Sequence, residues 1–282
     1  MHEKNIYIEN KLGEKLYVNV LEFHNDAPNI VYIQTPIGSV IDLKNCYTPL
    51  VKHGFNVFAI DLSGIGQSEG KVSAFSIETL KNDLDACVAY IKENYNDVVH
   101  MFGGTGTGGV LGQHYITGEN EIKSFVQYGL ANYKDVSALG NSTMIKLLYP
   151  ILPLFQKLAP NMKIKFKPND FNGKHADKEN EWYEQLMRAN PKVMDMSISI
   201  LKTLLDILLS KTSNIKNRPN CPVLVFAPMH DRYFTMNYIQ KYYNWLDKPK
   251  KMYEIDDSHL SFVWHAEDVC REACRWFKLN TD

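Results

Sequence analysis

The segments IYIE and KLYVNVLE alternate apolar and polar positions on either side of a turn at residues 10–13, which predicts a β-hairpin. NIVYIQ is instead a continuous apolar run of strand length, ended by Thr35-Pro36-Ile37-Gly38. A helix is expected over 41–53, closed by Gly54 in the position that favours a left-handed cap. FNVFAI predicts another buried strand, running into the loop DLSGIGQSEG. Ile77, Leu80, Leu84, Val88 and Ile91 recur at helical spacing and predict a helix over 76–95 with one core-facing side. VVHMF is a third buried strand, followed at once by GGTGTGG and a helical run, and KSFVQYG predicts the next strand.

Strands that lack polar alternation and are separated by helices belong to a parallel sheet covered on both faces. Right-handed crossovers stack such units into a doubly wound α/β fold. From Leu130 to Arg218 no strand is evident and the pattern reads as helices broken by prolines such as Pro150 and Pro153. Strand and helix then alternate again: PVLVFAP, a helix over 236–246, the strand KMYEI, and a last helix over 266–279. The expected organisation is an α/β core in two parts, 1–129 and 219–282, interrupted by a helical insertion at 130–218.

Composition narrows the function classes. Among 282 residues, 31 Lys and Arg stand against 32 Asp and Glu, a net charge of −1. No basic surplus exists to neutralise a phosphate backbone, so a nucleic-acid partner is not expected. The start, MHEKNIYIEN, lacks the layout of a signal peptide, and no apolar run reaches the roughly 18–20 residues of a bilayer span, so no transmembrane segment and a cytoplasmic location are expected. Five cysteines form neither a disulfide framework nor a zinc-like spacing, and no metal or cofactor is expected.

The glycine run Gly104-Thr105-Gly106-Thr107-Gly108-Gly109 admits two readings. As G-x-G-x-x-G it matches a dinucleotide fingerprint, but two strand–helix units precede it, and no acidic residue ends the next strand to take a ribose. As G-x-S-x-G-G it overlays a nucleophile elbow, the tight strand-to-helix turn whose nucleophile is flanked by small residues. Two later segments, VLVFAPMHDRYF and EIDDSHLSF, put an Asp and a His after successive strands, where open α/β sheets place their sites.

Together these segments resemble the α/β-hydrolase superfamily, in its monoacylglycerol-lipase and serine-aminopeptidase-like branch. TPIGS is similar to the family's oxyanion loop, and Asp61, Gly64, Gly66 and Ser68 to its D-x-x-G-x-G-x-S stretch. The resemblance implies a mostly parallel sheet with a helical cap, and a site at Gly106, Asp231 and His259. His259 would be the general base and Asp231 its orienting acid. Asp256 and Asp257 are alternative acids too close in sequence to His259 to reach around its ring, and His230 is incidental. Oxyanion donors are implied at the backbone N–H groups of Ile37 and Thr107.

One departure governs the reading: Gly106 stands where the family carries serine, and it has no hydroxyl or thiol. Shifting the overlay by one residue makes Thr105 an alternative nucleophile, with a β-branched side chain strained in the elbow. Otherwise the chain is a serine enzyme whose serine has been replaced, a silent binding protein, or an enzyme whose His–Asp dyad acts alone. The expected partner is a small acyl ester or thioester. The insertion segments MIKLLYPILPLF and ISILKTLLDILL are apolar, the second over most of its circumference, which suits packing onto the core or lining a tunnel for an apolar chain.

Overall fold

The computed structural model describes residues 2–36, 38–104, 106–159, 162–165, 173–189 and 195–281. In chain order the strands are β1 (His2–Glu9), β2 (Lys15–Glu22), β3 (Asn29–Ile33), β4 (Asn56–Ile60), β5 (Val99–Gly103), β6 (Phe125–Gln127), β7 (Lys163–Lys165), β8 (Asp195–Ser197), β9 (Val223–Pro228) and β10 (Lys250–Ile255). The helices are α1 (Thr48–Lys52), α2 (Ile77–Asn94), α3 (Thr107–Ile116), α4 (Ser142–Leu148), α5 (Leu152–Leu158), α6 (Ala176–Ala189), α7 (Ile198–Leu209), α8 (Met236–Trp245), α9 (Ser261–Trp264) and α10 (Ala266–Leu279).

Eight strands form one sheet in the order β1-β2-β4-β3-β5-β6-β9-β10. β1 pairs antiparallel with β2, and β2 antiparallel with β4; every later pairing in the sheet is parallel. The reason lies in the side-chain pattern. In β3, Val31 and Ile33 enter an apolar cluster with Leu80 and Leu84 of α2 and Leu111 of α3. Ile30 and Tyr32 enter a second cluster with Leu50 of α1 and Val269 and Phe277 of α10. A strand buried on both faces has no polar alternation, which is why these strands read as apolar runs.

Local differences from the sequence reading have physical causes. The helix expected over 41–53 is split into a 3₁₀ stretch, Val40–Cys46, and α1, with non-helical angles at Leu43 (φ −119°, ψ 31°). Ser39 caps the first piece through its side chain, and Pro49 sits in the first turn of the second, where a missing N–H costs nothing. Gly54 takes the left-handed φ of 93° as expected. Contrary to the reading of 130–218 as strand-free, β7 and β8 pair there as an antiparallel ribbon. Each is three residues long, too short for a period of two to stand out.

Between β6 and β9 the two apolar segments behave differently. On α7, Ile198, Ile200, Leu204, Leu205, Ile207 and Leu208 are buried in the first core cluster. On α4 and α5, Leu147, Leu154 and Leu158 are exposed. Among the described residues, no helix is long and apolar enough to cross a membrane.

Candidate active site

The loops after β3, β5, β9 and β10 leave the carboxyl ends of neighbouring parallel strands, beside the point where the chain reverses its direction of winding at β3. Gly106, between β5 and α3, has φ 58° and ψ −122°, a backbone conformation that costs other residues about 1–3 kcal/mol. The flanking glycines are required by space: a Cβ on Gly104 would lie 2.5 Å from Tyr32 Oη, and one on Gly108 2.6 Å from the Ile33 carbonyl oxygen. A Cβ on Gly106 would point toward His259, 3.8 Å from Nε2, with Thr35 Oγ1 at 2.8 Å.

α3 begins at Thr107, so its first N–H groups have no acceptor within the helix and put the positive end of its dipole beside Gly106. Ile37 and Thr105, expected as an oxyanion donor and as an alternative nucleophile, lie outside the described residues.

The structure brings His259 and Asp231 together. Nδ1 of the half-buried imidazole donates to Oδ2 of the buried Asp231 at 2.8 Å. The other carboxylate oxygen accepts the backbone N–H groups of Tyr233 (2.7 Å) and Phe234 (3.0 Å), which fixes the acid in one orientation. The rings of Tyr233 and Phe234 lie 4.7 and 5.8 Å from the imidazole, centroid to centroid. Burial alone would depress the imidazolium, but the charge and hydrogen bond of Asp231, helped by the charge of Glu179, hold its pKa above the ordinary value. With Nδ1–H engaged, Nε2 is the basic nitrogen and faces Gly106.

Asp61, at the end of β4, ties down the loop after β3. Its carboxylate accepts Ser39 Oγ (2.7 Å), Val40 N–H (2.7 Å) and Gln67 N–H (2.9 Å). Its own carbonyl accepts the Ser68 hydroxyl at 2.6 Å. The D-x-x-G-x-G-x-S stretch is therefore a bracket that holds residues 38–40 against the sheet.

The remaining acidic candidates are engaged elsewhere. His230 pairs with Asp256 at 3.0 Å on the exposed side. Asp257, fully buried, takes His175 and His265 as hydrogen-bond donors. Burial pushes its carboxyl up, but those donors and the Ser258 and His175 backbone N–H groups hold it below the usual carboxylate range. Cys270 and Cys274 are buried thiols, the latter pushed up by burial to about 12, as expected of small apolar fillers.

Sequence reasoning missed Glu179. This carboxylate on α6 is fully buried, accepts the hydroxyl of Ser258, and leaves Oε1 without a hydrogen-bond partner. Burial raises its pKa, against the lowering effect of Ser258. The i, i+4 spacing of His175 and Glu179 at the head of a polar helix was the available signal.

Three solved structures share this fold. In the fold, the chain is similar to the α/β hydrolase GrgF from Penicillium sp. sh18 (TM-score 0.76, 14% identity, covering 100% of this chain and 99% of that one). It is likewise similar to a monoacylglycerol lipase from Paleococcus ferrophilus (TM-score 0.70, 17% identity, 99% and 100%). An esterase from Pyrococcus furiosus gives a TM-score of 0.66 at 16% identity over 100% of this chain and 92% of that one. No curated protein sequence matches the chain. The sequence pattern of the serine aminopeptidase S33 family matches residues 42–259, from the stretch after the β3 loop through His259. The chain therefore belongs to that family of α/β hydrolases.

Proposed function

We propose that this chain acts on small acyl esters or thioesters, with His259 as general base and Asp231 as its orienting acid. The observation that carries the reading is the direction of Nε2, which lies 3.8 Å from the position a side chain on Gly106 would enter. With glycine there, no acyl-enzyme forms at that residue. Nε2 instead takes a proton from a water molecule, whose oxygen adds to the acyl carbon. The carbonyl oxygen develops negative charge and is held by N–H groups at the head of α3, Thr107 first, with Ile37 the second donor by family resemblance. Collapse expels the alcohol or thiol, which recovers the proton from the imidazolium.

A site of this kind without its nucleophile retains about 10³–10⁴ over the uncatalysed rate. Slow turnover is therefore expected. The esterase and lipase activities named for the fold relatives support the substrate class, and the apolar insertion at 130–218, read as a cap over the site, supports an acyl chain. The test is turnover of p-nitrophenyl esters and acyl thioesters by the chain and by His259→Ala. Loss of turnover in the variant supports the reading, and equal turnover overturns it.

A second reading has its own observation. Thr35 Oγ1 would stand 2.8 Å from a Cβ on Gly106, so a side chain there requires the threonine hydroxyl to shift, whereas glycine leaves the space before Nε2 open. A dyad facing an open glycine turn can remove a proton α to a thioester carbonyl. His259-dependent deuterium exchange into an acyl thioester without hydrolysis favours this second reading.

A further inference from the structure

We propose that His175, Asp257 and His265 form a site for a divalent transition-metal ion of the zinc class, one that ties the start of α6 to the loop carrying His259. His175 Nδ1, a carboxylate oxygen of Asp257 and His265 Nε2 lie within 4.8 Å of one another. Two imidazoles and one carboxylate are a donor set that suits zinc and its first-row neighbours and not magnesium or calcium, which take oxygen.

The surroundings hold these atoms in a ligand arrangement. Asp257 Oδ1 is occupied by two backbone N–H groups, from Ser258 at 2.9 Å and His175 at 3.2 Å. That leaves Oδ2 turned toward both rings, with His265 Nε2 at 3.0 Å and His175 Nδ1 closer. Trp264 stacks on His175 with ring centroids 6.3 Å apart, which limits rotation of that imidazole. A carboxylate anchored through one oxygen and a ring fixed by stacking are the outer supports that metal ligands need. About a quarter of each imidazole side chain is exposed, while Asp257 is fully buried, so water can complete the coordination from one side.

On binding, each imidazole turns to the ion the nitrogen that now donates to Oδ2: a neutral ring first moves that proton through solvent to its other ring nitrogen, and a protonated ring releases it to solvent. Two hydrogen bonds to Oδ2 are exchanged for two metal–nitrogen bonds, and Oδ2 becomes the third ligand. The consequence is mechanical. The Glu179 N–H donates to the His175 carbonyl at 2.9 Å, one helical turn along α6, and the Glu179 side chain accepts from Ser258, between Asp257 and His259. An ion here fixes the insertion to the core at the residues beside the dyad. Ion binding itself does not depend on whether the dyad hydrolyses esters.

The experiment uses the full chain freed of metal by chelation. Zinc titrated by calorimetry should bind at one equivalent per chain. Affinity should fall at least about tenfold in His175→Ala and in His265→Ala, and stay unchanged in His230→Ala, which removes the neighbouring His230–Asp256 pair. Cobalt should give visible ligand-field bands in the unaltered chain, and zinc X-ray absorption on that chain should report two imidazoles, a readout independent of any variant's folding. Hydrogen exchange across 176–189 should slow when zinc is added. The proposal is overturned by absence of saturable binding, by binding indifferent to both histidine variants, or by absorption without imidazole. Zinc binding that leaves exchange in α6 unchanged overturns the tie between insertion and core.

Discussion

Glu179, on a helix of the insertion, accepts the hydroxyl proton of Ser258, the residue immediately before His259. A carboxylate from a segment remote in sequence therefore binds the residue next to the proposed base, and its charge adds to that of Asp231 in favouring the imidazolium. Because the proposed base His259 works only when neutral, turnover should rise with pH through a pKa above the ordinary imidazole value. Glu179→Gln keeps an acceptor for Ser258 but removes the charge, so the rising limb should move to lower pH. Asp231→Asn should move it further, because Asp231 is the larger influence. The check is the pH dependence of kcat/KM for both variants. Identical profiles for Glu179→Gln and the unaltered chain would show that Glu179 acts only in packing.

Gly106→Ser would place a hydroxyl in the direction of His259 Nε2. The variant should react covalently with a fluorophosphonate, and the double variant with His259→Ala should not. The serine costs stability, about 1–3 kcal/mol for a side chain at this φ, and more from the approach of Thr35 Oγ1 at 2.8 Å. In a Thr35→Ala background the same substitution should cost less, since neighbouring sites are not additive. Urea denaturation of the four chains measures the coupling. A folded, unlabelled Gly106→Ser would place Gly106 outside the nucleophile position.

How much of this was readable from the chain depends on how each contact is encoded. The parallel sheet was readable because burial on both faces leaves an uninterrupted apolar strand, as in NVFAI and VLVFAP. The approach of Asp231 to His259 was readable because each follows a strand end and the topology brings neighbouring strand ends together. The split of the helix after Ser39 was not, because Ser39 and Pro49 each start a helix and the apolar period runs through both. Glu179 and His175 were hard to assign for a different reason, although their i, i+4 spacing stands in the sequence. Their partners, Ser258 and Asp257, are 79 and 82 residues away, across an insertion whose course no periodicity fixes.

His100 supplies a pH effect on stability that is separate from the site. Its ring is fully buried, packs against Phe277 and Phe55, and shares a 2.9 Å hydrogen bond with Ser124 through Nδ1. Burial, with a smaller effect of Lys123, pushes its pKa down to about 3. The folded pKa lies below the unfolded one, so the neutral ring's contribution is complete above about 6.5 and is lost as pH falls from there toward the folded value. His100→Phe should fit between the same rings at a cost of about 1 kcal/mol for the stranded Ser124 hydroxyl. The stability difference between the variant and the unaltered chain should change by about 1.4 kcal/mol per pH unit between about pH 6 and 4. Urea midpoints at several pH values test this, and parallel curves would refute it.

Asp61 tests whether the loop after β3 must be held for the site to work. Its two oxygens accept from Ser39, Val40 and Gln67, and no residue type but a carboxylate accepts all three at once. In Asp61→Asn the amide nitrogen opposes one of these donors, which should destabilise the chain by about 1–3 kcal/mol. Because Ser39 and Val40 follow the implied oxyanion donor at Ile37, turnover should also fall while labelling of Gly106→Ser by fluorophosphonate slows. Substrate KM should change less than kcat, since the charge that this loop is proposed to stabilise develops in the transition state and not in the bound ester. Equal kcat in Asp61→Asn and the unaltered chain, at the lower stability, would assign Asp61 to folding alone.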